Sequence, residues 1–297
     1  MGLSASDLRS AIASIKAHVE GSTTLTYAEL KSARELFMAN SAYLDMDFDS
    51  MNDAFALVDS YESEFGGMFI NSRSDKWGFP RDDTNDGYSL ERTMLVVQQA
   101  LLDEIYQGTL QDIASQIRIH DPVVENCKDY LRGRHWKTST YFPGELELPA
   151  EQNTVEYSVK VNATVGEYWG IKECFSDSPA IHATGYYLPP GGVAWLIFPP
   201  ALVDQGFQIQ VGANDADTRI KEVRQRMDRV TCTYEVTSTT TYVSSPLGGG
   251  IYIKVPYLAD YGRRTIRLSG DVIQAPFFCK FLTLFWIVSL IISFLGM

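Results

Sequence analysis

The spacing of the hydrophobic residues changes near Lys137, and this change constrains the fold more than any other feature of the sequence. Between Ser6 and about Asp121, apolar residues recur every three to four positions, as on one face of an amphipathic helix. After Lys137 they alternate with polar residues, which is typical of half-buried strands. The sequence therefore predicts an α+β protein, with an N-terminal helical domain followed by an antiparallel β-sandwich and a C-terminal hydrophobic helix.

The helical region divides at turn and capping signals. The pattern predicts helices over residues 6–19, from Thr26 onward, over 51–61, over 90–105 and, more briefly, over 109–119. Thr26 followed by Glu29 forms a capping box, because each side chain can accept a hydrogen bond from the other residue's free backbone N–H. Residues 71–88 are rich in Ser, Asp, Asn, Gly and Pro, and they predict a surface loop.

The second half contains several short strand-like runs separated by turns. They cover residues 154–161, 181–188, 194–198, 207–211, 231–243, 251–255 and 265–268. In the first run, four residues are expected to face the core: Val155, Tyr157, Val159 and Val161. Because turn signals such as Pro189-Pro190-Gly191-Gly192 recur at short intervals, the spacing favours a β-sandwich.

The last residues form a long apolar stretch. Residues 281–297 carry no charge, and residues 275–297 are interrupted only by Lys280. As a helix these segments would span roughly 25 to 35 Å, the hydrocarbon thickness of a bilayer. We predict a membrane location through a single-pass anchor over 279–297. A buried core helix and a tail that does not belong to the domain are the alternatives.

The predicted organisation is thus a helical region (1–136), a β-sandwich portion (137–278) and the hydrophobic tail (279–297). The N-terminus is not predicted to be a signal peptide, because Asp7, Arg9 and Lys16 interrupt its apolar residues. With 25 Lys and Arg against 37 Asp and Glu, the chain has a formal charge of −12. Such a field repels phosphate backbones, so we expect no nucleic-acid partner.

Cysteine and histidine do not form a recognisable metal or redox motif. The sequence has neither CxxC nor HExxH, and no two histidines are closer than 15 residues. We interpret the histidines as structural: His18, His120, His135 and His182. We interpret the cysteines as buried thiols, with one disulfide left open as an alternative: Cys127, Cys174, Cys232 and Cys279. The prediction is therefore a chain without metal ligands.

Two acidic runs superficially resemble calcium loops. Asp45, Asp47 and Asp49 alternate, but Ser50 stands where an EF-hand loop needs glycine. The run that begins at Asp82 has Thr93 at its twelfth position, where the loop needs glutamate. We therefore interpret both runs as helix caps or solvated surface.

Four ordered blocks in the second half resemble one peptidase family. They are ATGYYLPPGG (183–192), QVGANDAD (210–217), SSPLGGGIYIKVPY (244–257) and IRLSGDVIQAPFF (266–278). They resemble the N-terminal, non-catalytic part of peptidase family M60, the enhancin-like zinc metallopeptidases. The resemblance is good over residues 137–278 and weaker over the helical region.

The resemblance implies a secreted or surface zinc protease that acts on mucin-type, O-glycosylated proteins. In the family, an HExxH helix that supplies zinc ligands and the general base lies downstream of the block that ends here at Phe278. This sequence has no HExxH, so the resemblance assigns no catalytic residue, zinc ligand or cofactor-binding residue to this chain. Zinc is expected only in full-length family members.

Two functional hypotheses remain open, and the sequence does not decide whether the chain is an enzyme. One is a truncated or inactive enhancin-like metallopeptidase, and the other is a non-enzymatic, membrane-tethered module that binds a glycan, glycoprotein or protein. Tyr186, Tyr187 and Trp195 lie near the PPGG turn and could stack on sugar rings, with core packing as the alternative. Asn162 begins the only N-glycosylation acceptor, Asn162-Ala163-Thr164, which is usable only outside the cell.

Overall fold

In the part of the chain that the structure describes, four α-helices precede the strands. The computed structural model describes residues 4–68, 89–108, 110, 130–140, 143–144, 146–166, 178–213 and 227–275. The helices are α1 Ala5–Val19, α2 Tyr27–Asn40, α3 Phe48–Phe65 and α4 Ser89–Glu104. The prediction of a helical N-terminal part is therefore confirmed.

Local side-chain chemistry sets the helix boundaries. α1 begins after Ser4, whose hydroxyl accepts a hydrogen bond from the Asp7 backbone N–H. At the start of α2, the Thr26 hydroxyl accepts from the Glu29 N–H at 3.3 Å, and the Glu29 carboxylate accepts from the Thr26 N–H at 2.8 Å. The predicted capping box is present, and it satisfies two N–H groups that the helix cannot pair internally.

A short segment that follows the helices completes their core. Residues 130–140 bring Trp136 into the helical region, where its side chain is 1% exposed. Its ring meets Tyr106 edge to face at 6.5 Å, and Tyr106 meets Phe55 in the same way at 6.3 Å. These aromatic side chains fill the space between the helices and the strands.

Two antiparallel sheets follow the helices, and they confirm the α+β class. The strands are β1 Tyr157–Thr164, β2 Ala180–Leu188, β3 Gly192–Ile197, β4 Gln208–Val211, β5 Cys232–Glu235, β6 Thr240–Ser245, β7 Gly249–Val255, β8 Asp260–Gly270 and β9 Ile273–Gln274. The four-stranded sheet has the order β1-β8-β3-β6, and the five-stranded sheet has the order β5-β4-β7-β2-β9. Buried side chains of both sheets belong to one continuous hydrophobic cluster.

Two strand predictions need correction. The run over 231–243 is two strands, β5 and β6, which lie in different sheets. Ser238 lies between them and donates a hydrogen bond to the Thr240 carbonyl, so the chain turns where alternation alone predicted a continuous strand. Val155 precedes β1 and is 53% exposed, whereas Val159 and Val161 are buried as predicted.

Backbone hydrogen bonds join the helical region to both sheets. After α4, Gly108 pairs with the edge strand β5, donating to Thr233 O at 3.0 Å and accepting from the Glu235 N–H at 2.9 Å. Near β3, the Gly133 N–H donates to Gly191 O at 2.8 Å. A side chain at Gly191 would place its Cβ 2.9 Å from the His135 nitrogen, so the PPGG turn can pack this closely only with glycine there.

Several predictions fall outside the described residues. They concern the loop over 71–88, the short helix over 109–119, the acidic run from Asp82, His120, three cysteines (Cys127, Cys174 and Cys279) and the tail over 279–297. Among the residues that the structure does describe, none of the helices has the length and hydropathy needed to cross a membrane. The tail anchor and the boundaries of the three predicted segments stay predictions.

Candidate functional site

The four-stranded sheet has one buried side and one solvent side. Ile266, Leu268 and Leu196 point inward and are at most 1% exposed. Because side chains alternate along a strand, their neighbours point outward. We call this solvent side the outer face; its residues are Ser158, Lys160, Trp195, Ile197, Tyr242, Thr265 and Arg267, all half-buried or exposed.

An aromatic pair lies on the outer face. Trp195 of β3 is directly opposite Tyr242 of β6 in the strand register. Their ring centroids are 6.1 Å apart and their planes are inclined at 50°. Tyr242 is 38% exposed and Trp195 is half-buried, so the pair offers apolar ring surface together with a phenolic hydroxyl.

Gly270 lies beneath the tryptophan ring. It pairs with Ala194, the residue before Trp195, and has a backbone φ of +103°. A Cβ at this position would lie 3.1 Å from Cζ3 of Trp195 and 2.6 Å from the Val193 carbonyl oxygen. The absence of a side chain therefore allows the indole ring to rest against the backbone of β8.

Replacing Gly270 by alanine is expected to lower the free energy of unfolding by about 1–3 kcal/mol, because the new methyl group meets backbone at an unfavourable φ. Chemical denaturation measures the change. Gly262→Ala is the matched control, since Gly262 also has a positive φ (+65°) but open space around it. Equal losses for the two variants would show that contact with β3 does not set the cost.

Arg267 provides charge and hydrogen-bond donors next to the aromatic pair. It lies opposite Ile197 on one side and Ser158 on the other. Its Nη1 is 3.2 Å from Oε1 of Glu156, and both side chains are about half exposed. The outer face thus combines apolar rings with polar groups that solvent can reach.

The other two predicted aromatic contacts lie elsewhere. Tyr186 and Tyr187 belong to β2 of the five-stranded sheet. The Tyr186 ring packs 4.8 Å from the ring of Tyr157, across the interface between the sheets. The Tyr187 hydroxyl donates to Gly144 O at 3.1 Å, and burial raises the pKa of this phenol. The structure does not bring these two side chains together with Trp195, and their role as glycan contacts stays a prediction.

Asn162 lies on the solvent side of β1, opposite Arg263. Its side-chain amide donates to Thr164 O at 3.3 Å, and the Thr164 hydroxyl accepts from the Gly262 N–H at 2.8 Å. The acceptor asparagine is therefore exposed, at the point where the register between β1 and β8 shifts. Its glycosylation stays a prediction.

The described residues do not fit the zinc centre that the family resemblance implies. Nowhere in the described part of the chain do three His, Cys, Asp or Glu side chains come together in a group that could hold a metal ion. Asp47 caps α3 by accepting from the Ser50 N–H at 3.1 Å, as the cap interpretation of that acidic run predicts. Arg9 approaches both Asp47 and Asp49, which further explains why these carboxylates lie together.

The Cys232 thiol and the His18 imidazole both take part in packing or local hydrogen bonding. Cys232 is buried and free, and burial raises the pKa of its thiol to about 11, which keeps it protonated and unreactive at neutral pH. His18 Nδ1 accepts a hydrogen bond from the Leu25 N–H at 3.1 Å. For these two residues the structural interpretation is confirmed.

A buried ion pair that the sequence did not predict lies behind the outer face. Asp271 has a fully buried side chain and receives two hydrogen bonds from Arg132, at 2.9 and 3.0 Å. The same carboxylate accepts from the Val193 N–H at 3.0 Å, two residues before Trp195. Arg132 also donates to Pro149 O at 2.6 Å. The ion pair therefore ties the segment after the helices to the strand that carries the aromatic pair.

A second buried carboxylate holds the helices to the same segment. Glu62 of α3 is 4% exposed and accepts from the Lys137 N–H at 2.7 Å and from the Gln98 amide at 3.2 Å. Burial raises the pKa of the Glu62 carboxyl, although hydrogen bonds from Lys137 and Thr138 oppose this shift. No local sequence signal pointed to Glu62, because its partners come from distant parts of the chain.

Comparisons with known proteins agree with the resemblance seen in the sequence. Residues 148–269 match the family described as the N-terminal domain of M60-like peptidases. TRPM8 channel-associated factor 3 of Rattus norvegicus is 30% identical over 96 residues, covering 32% of this chain and 10% of that protein. The TRPM8 channel-associated factor homolog of Xenopus laevis is 33% identical over 101 residues, covering 34% and 11%. The matched segment is thus about a tenth of the length of these relatives.

Among solved structures, the IMPa metallopeptidase from Pseudomonas aeruginosa is similar over 75% of this chain and 23% of its own, with 13% identity and a TM-score of 0.30. The family match extends from before β1 to Ser269, one residue before the end of β8, and it includes the whole outer face. Residues 148–269 are therefore similar to the N-terminal domain of M60-like peptidases, the part of that family that the four sequence blocks resemble.

Proposed function

We propose that this protein is a non-catalytic binding module of the M60-like family, and that its outer face binds the glycans of mucin-type glycoproteins. The observation that carries the proposal is the Trp195–Tyr242 pair on the solvent side of the four-stranded sheet. A pyranose ring has an apolar C–H face that aromatic rings can cover, and hydroxyl groups at its edge that need hydrogen bonds.

The surroundings of the pair supply those hydrogen bonds. The Tyr242 hydroxyl, the Arg267 guanidinium and the Ser158 hydroxyl all belong to the outer face. Trp195 is held by the strand backbone and lies over Gly270, so its ring keeps its orientation before a ligand arrives. A fixed aromatic side chain loses little conformational entropy on binding, which favours affinity from a small contact area.

The proposed module binds glycoprotein without hydrolysing it. The sequence lacks HExxH, and the described residues offer no metal-binding group. The chain would therefore act by recognising O-glycosylated protein, and zinc-dependent cleavage in the family would depend on residues that this sequence does not contain.

Calorimetric titration with a mucin-type O-glycopeptide tests the proposal. Trp195→Ala and Tyr242→Ala are each expected to weaken binding by about 10-fold or more, since each removes one ring of the contact surface. Tyr252→Ala is the control, because Tyr252 is a half-buried strand tyrosine of the other sheet. Mass spectrometry of the recovered glycopeptide, after incubation with zinc, is expected to show it intact.

Three outcomes would contradict the proposal. One is equal affinity for the same peptide without sugars, which would indicate a protein ligand. The names of the curated relatives refer to association with a channel, so protein binding is the alternative. The titration with the sugar-free peptide detects it. The second is unchanged affinity of both aromatic variants, and the third is zinc-dependent cleavage by the purified chain.

A further inference from the structure

The outer face is bordered by positive charge, although the chain as a whole carries a net charge of −12. Lys160 of β1 lies directly opposite Thr265 of β8. Arg263 and Arg267 lie two residues to either side of Thr265 on the same strand, so their side chains share its side of the sheet. All three cations are exposed.

Carboxylates neutralise this group only in part. Glu156 pairs with Arg267 at 3.2 Å, at the end of the group that lies nearer to Trp195. Asp260 is engaged by the Thr164 hydroxyl at 3.2 Å. Within the described part of the chain, neither Lys160 nor Arg263 has a carboxylate oxygen within 4.0 Å. Counting only the residues that the structure describes, two exposed cations therefore lie on the same side of the sheet as the aromatic pair without an ion-pair partner.

The strand register gives the distance between the charges and the rings. Trp195 pairs with Ser269, and Thr265 precedes Ser269 by four residues on β8. The backbone positions of Thr265 and Ser269 are therefore roughly 13 Å apart. That is far more than the width of one sugar ring. A glycan that covers the aromatic pair and also reaches Lys160 must therefore be an oligosaccharide. Arg267 lies between the aromatic pair and Lys160.

We infer that the ligand of the outer face is an acidic oligosaccharide, with a neutral ring on Trp195 and Tyr242 and a carboxylate or sulfate group between Lys160 and Arg263. This inference rests on the proposed function. A guanidinium group offers paired N–H donors that match the oxygen atoms of a carboxylate or sulfate, and an ammonium group adds a mobile point charge. The cations on this side of the sheet give it a local positive potential, which offsets part of the repulsion between an anionic ligand and the net charge of −12.

The test compares three O-glycopeptides with the same peptide and the same core glycan: neutral, capped with a sugar carboxylate, and sulfated. Both acidic forms are expected to bind about 3- to 10-fold more tightly than the neutral form, the range for exposed charge pairs. This preference should shrink as sodium chloride is raised, because salt screens exposed charges. If only one acidic form is preferred, that result identifies the anionic group.

Charge variants locate the site. Lys160→Gln and Arg263→Gln are expected to remove most of the preference while leaving affinity for the neutral glycopeptide unchanged. Arg264→Gln is the matched control, since Arg264 is exposed on the same strand but pairs with the inward-facing Val161. Equal removal of the preference by Arg264→Gln would overturn the location.

The inference and the proposed function can fail separately. Equal affinity for neutral and acidic glycopeptides, with Trp195→Ala still weakening both, would overturn the inference and leave the proposed function standing. No binding of any of the three glycopeptides by the folded wild-type chain would overturn both.

Discussion

Replacing Arg132 by methionine is expected to lower the free energy of unfolding by about 3–5 kcal/mol. The substitution leaves the Asp271 carboxylate fully buried without its cation. Within the described residues, the Val193 N–H is the remaining hydrogen-bond partner of the Asp271 side chain, and the substitution also removes the hydrogen bond from Arg132 to Pro149 O. Urea denaturation followed by tryptophan fluorescence and by circular dichroism measures the loss.

Two further variants separate this effect from loss of an ordinary arginine. Arg267→Met removes an exposed partner of Glu156 and is expected to cost less than about 1 kcal/mol. Adding Asp271→Asn to Arg132→Met is expected to recover part of the loss, because no buried charge is then left unpaired. A loss below 1 kcal/mol for Arg132→Met would contradict the role given to the ion pair.

Replacing Glu62 by alanine is expected to cost about 2–4 kcal/mol, because it leaves several donors without their acceptor at the junction of α3, α4 and the 130–140 segment. Glu64→Ala is the control, since Glu64 is an exposed residue of the same helix. Chemical denaturation measures both, and equal losses would show that the Glu62 hydrogen bonds contribute little.

The same carboxyl is expected to make stability depend on pH. Burial raises the Glu62 pKa above its ordinary value of 4.5, so the folded protein holds this proton more tightly than the unfolded chain. The contribution of the group is therefore fully present below pH 4.5 and is lost as pH rises through the folded pKa. From about pH 4 to pH 7, wild type should lose stability relative to Glu62→Gln, which cannot titrate. A constant difference over that range would show that the folded pKa is not raised.

Much of the fold could be predicted from local sequence patterns. The spacing of apolar residues, with a period of 3.6, located all four described helices, and the Thr26–Glu29 pair identified a helix start. Both signals could be read because each arises within a single helix. Alternation located most strands for the same reason. It failed at residues 231–243, where a hydrogen bond from Ser238 turns the chain and the two halves join different sheets.

The candidate site was harder to predict, because strand pairing decides which side of each strand is covered. The sequence grouped Tyr186 and Tyr187 with Trp195, but pairing places them in different sheets. Tyr242 was missed, although it lies opposite Trp195, because its partner is 47 positions away. Arg132 and Asp271, 139 residues apart, show the same limit for buried charges.

Site-specific NMR of 5-fluorotryptophan tests the binding site most directly. The chain has five tryptophans, and Trp195→Phe assigns the resonance on the outer face. On titration with an acidic mucin-type O-glycopeptide, the Trp195 resonance is expected to shift with saturation. The Trp136 resonance should stay unchanged, because that side chain is buried in the helical region against Tyr106. A saturable shift at other tryptophans, with the Trp195 resonance unmoved, would contradict a glycan site on the outer face.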